Sequence, residues 1–84
     1  MMKYLVTQSY IPPENNKQYP WVVESILCNT WEEATSVVSK KMAQERETYE
    51  KENGARCFRY EDGNDFYLEC YGAVDWWHIS EIKE

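Results

Sequence analysis

The segment from Thr30 to Gly54 constrains the fold of this chain most, because it is the one long helical signal in the sequence. Thr30 precedes Glu33 by three residues, the capping-box spacing in which a hydroxyl and a carboxylate each bond a free backbone N–H. Gly54 suits a helix C-terminus, because glycine adopts the left-handed conformation there without strain. Apolar residues between these ends recur every three or four positions, as on one face of a helix: Trp31, Ala34, Val37, Val38 and Met42. We therefore predict one long helix over residues 30–54.

Segments with strand character lie on both sides of this helix. Alternating or β-branched patterns, which are typical of strands, cover residues 2–11, 21–28, 56–61, 66–71 and 75–82. Short connections rich in Gly, Asn and Asp predict an antiparallel meander of the last three strands. The order ββαβββ predicts an α+β fold, with one long helix on one face of a mostly antiparallel sheet of four to five strands. We expect a single compact domain over residues 1–84, and the order of strands in the sheet stays open.

The parity of residues along each strand predicts which side chains face the helix. In the first strand, Tyr4, Val6 and Tyr10 share the parity expected to face the core. The second strand is apolar at both parities, which predicts that much of both its faces is covered. Trp76 and Trp77 are adjacent in the last strand and must point to opposite faces of the sheet.

The cysteines predict thiols rather than a disulfide framework. Cys28, Cys57 and Cys70 are an odd number with no close pair, whereas disulfide-rich secreted domains carry even numbers. Residues 1–3 lead into mixed polar and apolar sequence rather than an apolar leader. No stretch approaches the roughly 20 apolar residues of a membrane span. We therefore expect buried thiols in a cytoplasmic protein.

The same residues give little support to metal binding or catalysis. The cysteines and His78 lack the Cys-x₂-Cys spacing of structural zinc, and Cys57 and Cys70 lie at opposite parities of their strands. A cysteine nucleophile needs a base and an orienting group; Asp75 or Glu81 could orient His78, but no spacing requires it. We expect no metal, no cofactor and no catalysis. A minor thiol- or His-based small-ligand site, using Cys70 or His78, is kept as an alternative.

The charge is concentrated at the end of the chain. Residues 61–84 contain seven acidic residues and one lysine, which accounts for the whole net charge of −6. The negative electrostatic field of these residues repels the phosphate backbone of nucleic acids, so we do not expect direct binding of nucleic acid. The acidic run at residues 61–65 lacks the ligand spacing of a calcium loop, and we predict a solvated hairpin turn there.

The sheet face opposite the helix is predicted to combine aromatic and acidic side chains. Exposed aromatic patches mark protein partners, and carboxylates around them select a basic partner. We expect three anchors, Tyr67, Tyr71 and Trp76, with acidic groups beside them. The candidate partner-binding residues are Tyr67, Glu69, Tyr71, Asp75, Trp76 and His78.

These expectations favour a small acidic, non-catalytic protein-binding module, an adaptor or inhibitor that occludes a basic surface of its partner while its carboxylates mimic phosphate. In size and charge the chain resembles the small inhibitors encoded by phages and mobile elements, including anti-CRISPR proteins that occupy basic nucleic-acid channels. A structural homodimer through the open sheet face is the alternative of a different class.

Overall fold

The fold is an α+β arrangement in which one helix packs against a five-stranded antiparallel sheet. The computed structural model describes residues 2–14, 19–54 and 56–83. The elements are β1 (Met2–Ile11), β2 (Trp21–Cys28), α1 (Trp31–Asn53), β3 (Cys57–Asp62), β4 (Asp65–Cys70) and β5 (Ala73–Lys83). The sheet order is β2-β1-β5-β4-β3, and every neighbouring pair is antiparallel. The predicted fold class and the β3–β4–β5 meander are confirmed.

Both predicted ends of α1 are confirmed by their capping geometry. The Thr30 hydroxyl accepts a 3.0 Å hydrogen bond from the backbone N–H of Glu33, whose carboxylate accepts one from the N–H of Asn29 at 3.2 Å. Gly54 has a φ of 62°, and its N–H bonds to the carbonyl of Tyr49. In the described part of the chain, no helix is long and apolar enough to cross a membrane.

The core lies between the first half of α1 and the central strands. Trp77 and Ile79 of β5 have no exposed surface, and Val6 of β1 is 1% exposed. From the helix, Ala34, Val38 and Met42 pack on them, all 2% exposed or less. The predicted inward parity of β1 is confirmed, and so is the opposition of Trp76 and Trp77, since Trp76 lies on the other face.

The prediction for β2 was wrong, because β2 is an edge strand with much of its apolar surface exposed. Val22 is 60% exposed, Val23 50% and Leu27 52%. Among the described strands it pairs with β1 alone, and the pairing shifts register between Gln8 and Ser9. A bulge of this kind inserts an extra residue into the ladder and so breaks the simple alternation of faces. By register, Trp21 and Ile26 lie on the helix side of β2, and Val22 and Leu27 lie on the other side, where they are exposed. Apolar residues at both parities therefore do not mean burial on two sides here.

The prediction of three thiols was also wrong, because Cys57 and Cys70 form a disulfide, while Cys28 is free and buried as expected. The prediction rested on the odd number of cysteines and the lack of a close pair in sequence, and neither takes account of the hairpin register. Since Asp62 pairs with Asp65, odd-numbered residues of β3 lie opposite even-numbered residues of β4. Cys57 and Cys70 are therefore direct cross-strand partners on the helix-facing side, with their Cα atoms 4.5 Å apart, a spacing that a disulfide spans.

Candidate protein-binding face

The sheet face opposite α1 carries a row of aromatic rings across three strands. The register places Tyr60 of β3 opposite Tyr67 of β4, and Tyr67 opposite Trp76 of β5. The ring centroids of Tyr60 and Tyr67 are 4.8 Å apart with 14° between the ring planes, and those of Tyr67 and Trp76 are 6.2 Å apart at 9°. Stacked aromatic pairs of this kind contribute about 0.5–1.5 kcal/mol beyond their buried area. We define the aromatic face as Tyr60, Asp65, Tyr67, Glu69, Trp76 and His78.

Asp65 holds two of the rings in place. Its Oδ1 accepts a 2.8 Å hydrogen bond from Trp76 Nε1 and lies 2.6 Å from His78 Nδ1. Partial burial opposes ionisation of Asp65, but the hydrogen bonds from His78 and Trp76 outweigh it and lower its pKa. The carboxylate is therefore ionised at neutral pH and orients both ring systems.

The aromatic face is exposed at its β3 edge and half-buried towards β5. Tyr60 is 47% exposed and its neighbour on β3, Phe58, is 58% exposed. A shallow depression of about 220 Å³ adjoins Trp76. Its lining is Ser9, Ile11, Pro20, Trp21, Val22 and Trp76. Exposed aromatic surface next to a depression is typical of a site that receives a partner side chain.

Acidic groups dominate the charge of this face. By strand parity, Asp62, Asp65 and Glu69 lie on it, whereas Lys3 is the one lysine or arginine that the described strands place there. Partial desolvation, and after it the charges of Asp65 and Asp62, raise the pKa of Tyr67, so its phenol stays neutral at physiological pH. The face therefore presents neutral rings among carboxylates.

Four of the six residues predicted from the sequence lie on this face: Tyr67, Glu69, Trp76 and His78. Their role in binding stays a prediction. Tyr60 and Asp65 were missed, although Tyr60 shares the parity of Phe58 in a strand whose other parity carries Cys57. Asp65 was assigned to a solvated turn, whereas the turn is confined to Gly63 and Asn64.

The expected placement of the other two residues was wrong. β4 ends at Cys70, and Tyr71 adopts a left-handed backbone conformation with a φ of 54°, so it leaves the alternation of the strand. Its hydroxyl donates to the carbonyl of Gly54 at 3.2 Å, at the end of α1. Asp75 shares the parity of Trp77, faces the helix and is 5% exposed.

The thiol–histidine pair considered from the sequence is not formed by Cys70 and His78. His78 has a carboxylate partner, but Cys70 is held in the disulfide and carries no thiol. Burial, and then the charge of Glu33, raise the pKa of the Cys28 thiol, which lowers its reactivity. Within residues 2–14, 19–54 and 56–83, no three His, Cys, Asp or Glu side chains are grouped so as to hold a metal ion.

The fold and the face together define an α+β protein with an open, aromatic and acidic sheet surface. The chain matches no family model, no curated protein and no solved structure. The geometry of the face therefore carries the functional argument.

Proposed function

We propose that this protein is a small non-catalytic binding module that holds a basic surface of a partner protein on the aromatic face. The observation that carries the proposal is the Tyr60–Tyr67–Trp76 stack, which is exposed at Tyr60 and half-buried at the other two rings. It lies beside the ionised carboxylate of Asp65. Rigid aromatic rings have little conformational freedom to lose on binding, which is why Tyr and Trp are favoured at interface centres.

Arginine is the partner side chain that this arrangement suits best. A guanidinium stacks on aromatic faces and bonds carboxylates with two parallel hydrogen bonds. Trp76 would supply the ring, Glu69 a carboxylate, and the depression beside Trp76 a place for the aliphatic stem. The function we propose is occlusion: the acidic face would cover a basic surface that otherwise binds phosphate groups.

Both the inhibitor role and the cytoplasmic location stay predictions. The likeness to phage-encoded inhibitors, anti-CRISPR proteins among them, is one of size and charge. The disulfide between Cys57 and Cys70 weighs against a reducing cytoplasm, because such bonds persist mainly in oxidising compartments.

Affinity capture with matched charge reversals tests the proposal. Glu69→Lys and Glu52→Lys change the net charge equally, but Glu69 is on the aromatic face and Glu52 is exposed in the last turns of α1. We expect a protein captured by the wild type to be lost with Glu69→Lys and with Trp76→Ala, and retained with Glu52→Lys. Equal loss with both reversals would mean that net charge alone drives capture, and the proposal would be wrong.

Light scattering separates partner binding from the homodimer. A monomer mass that is independent of concentration is expected if the aromatic face serves a different protein. A dimer that dissociates on the Trp76→Ala substitution would assign the face to self-association instead.

A further inference from the structure

A cleft lies on the other side of the sheet, between the second half of α1 and the ends of β1 and β2. Its volume is about 430 Å³, within the range of small-ligand sites. Its lining is Gln8, Tyr10, Trp21, Val23, Gln44, Glu45, Thr48, Tyr49 and Asp75. The cleft shares Trp21 with the depression on the aromatic face but none of the residues that define that face.

The floor of the cleft is polar and buried. Gln8 is 4% exposed and Asp75 is 5% exposed. The Gln8 amide donates to Glu45 Oε1 at 2.8 Å and lies 3.5 Å from Asp75 Oδ1, so one side-chain amide serves two carboxyl groups. Burying polar groups costs stability unless they are hydrogen-bonded, and here the Gln8 amide supplies those bonds while the carboxyl groups still line the cleft.

The walls of the cleft are aromatic and apolar. The rings of Tyr10 and Trp21 lie 4.9 Å apart at 46°. Burial, and then the charge of Asp75, raise the pKa of Tyr49 to about 12, so its phenol is neutral. None of the described residues that line the cleft is basic, and the nearby Lys41 is engaged in an ion pair with Glu24.

We propose that this cleft binds a small organic cation, an alkylammonium or guanidinium group, with its head between Asp75 and Glu45 and its carbon chain against Tyr10 and Trp21. Charge complementarity supports this assignment, because the described lining carries two carboxyl groups and no basic residue, and aromatic rings attract cations. The head group can belong to a free small molecule or to a basic side chain of another protein.

Protonation of Asp75 gives the proposal a distinctive signature. The groups that face Asp75 are Glu45 and Tyr49 from α1, Gln8 and Tyr10 from β1, and the apolar Leu68 from β4. Burial, and then the hydrogen bond with Glu45, raise the pKa of Asp75 to about 8. The bound cation replaces this proton, so affinity rises about tenfold from pH 6 to pH 7, the change for one proton released.

Calorimetric titration of the full chain with butylguanidinium and with its neutral isostere butylurea tests the proposal. We expect butylguanidinium to bind at least tenfold more tightly, with release of one proton. Asp75→Asn and Glu45→Gln should each weaken the binding of butylguanidinium at least tenfold. Glu52→Gln, on the same helix but outside the lining of the cleft, should leave the affinity for butylguanidinium unchanged. Asp75 and Glu45 do not belong to the aromatic face, so this test is independent of the proposed function.

Further arms identify the source of the cation and guard against misfolding. If acetyl-arginine methylamide binds more tightly than butylguanidinium, the site takes a protein side chain; if it binds less tightly, the site takes a free small molecule. Trp21→Ala, at an exposed edge of the sheet, should weaken the binding of both cations without disturbing the core. Equal affinity for butylguanidinium and butylurea, an affinity that does not change with pH, or full binding by folded Asp75→Asn would overturn the proposal.

Discussion

Replacing Asp75 by Asn should remove a pH dependence from the stability of the protein. In the folded state the pKa of Asp75 is raised to about 8, whereas an unfolded Asp titrates near 3.9. Between about pH 4 and pH 8, Asp75 is therefore protonated in the folded protein and ionised in the unfolded chain. The contribution of this group is therefore fully present below about pH 4 and is lost as the pH rises to about 8. The slope is about 1.4 kcal/mol per pH unit.

Asn keeps the shape of the protonated carboxyl group and does not ionise. Its amide can donate to Glu45 as the protonated acid does, so the fold should be retained near pH 5. Between pH 5 and pH 7 we expect the unfolding free energy of Asp75→Asn to gain about 3 kcal/mol relative to the wild type, which is two pH units at the slope above. Taking the difference between variant and wild type cancels the titration of groups that do not interact with Asp75.

Urea unfolding at pH 5, 6 and 7 measures this difference, and an unchanged m-value shows that the two proteins unfold in the same way. Glu69→Gln is the matched control, because it removes a carboxylate from the open face and leaves Asp75 in place, so it should retain the pH dependence that Asp75 confers. Parallel profiles for Asp75→Asn and the wild type would refute the reasoning, since they would mean that Asp75 is ionised in the folded state.

Three further predictions concern the frame of the fold. Replacing Cys57 and Cys70 together by Ser should lower the free energy of unfolding by about 3 kcal/mol, because the disulfide closes a loop whose ends are 13 residues apart. A reductant should lower the melting temperature of the wild type but not that of the variant. Met42→Ala, at a position 2% exposed, should cost about 2–5 kcal/mol in urea unfolding, and a cost below 1 kcal/mol would contradict the packing. Thr30→Ala removes the hydroxyl cap of α1 and should cost about 1 kcal/mol, whereas Thr30→Ser should restore most of it.

The helix and the meander could be predicted because their signals are local. The cap at Thr30, the apolar spacing after it and the glycine at position 54 each act within a few residues, so no knowledge of the sheet is needed. The short turn at Gly63 and Asn64 likewise determines that β3 and β4 pair. Strand order depends on contacts between distant segments, such as β1 with β5, and no local pattern encodes it.

The candidate sites could be predicted only where strand parity was followed consistently. Gln8 lies between Val6 and Tyr10, at the parity of β1 that the sequence predicts to face inward. Asp75 shares the parity of Trp77, and only the structure shows that this parity of β5 faces the helix. An inward polar residue in a short strand is the signal that finds the cleft. The disulfide required the hairpin register as well, since Cys57 and Cys70 face each other only when Asp62 pairs with Asp65.

Strand β5 connects the two proposed sites and determines how they can be tested. It is a central strand paired with β1 and β4, and its alternation sends Asp75 and Trp77 towards the helix and Trp76 and His78 to the open face. A slip of one residue in this register would exchange the two sets, and the complete burial of Trp77 opposes such a slip. A substitution at Trp77 should therefore abolish both proposed binding activities, because it disrupts the fold. Substitutions outside β5, at Glu69 or in α1, can separate them.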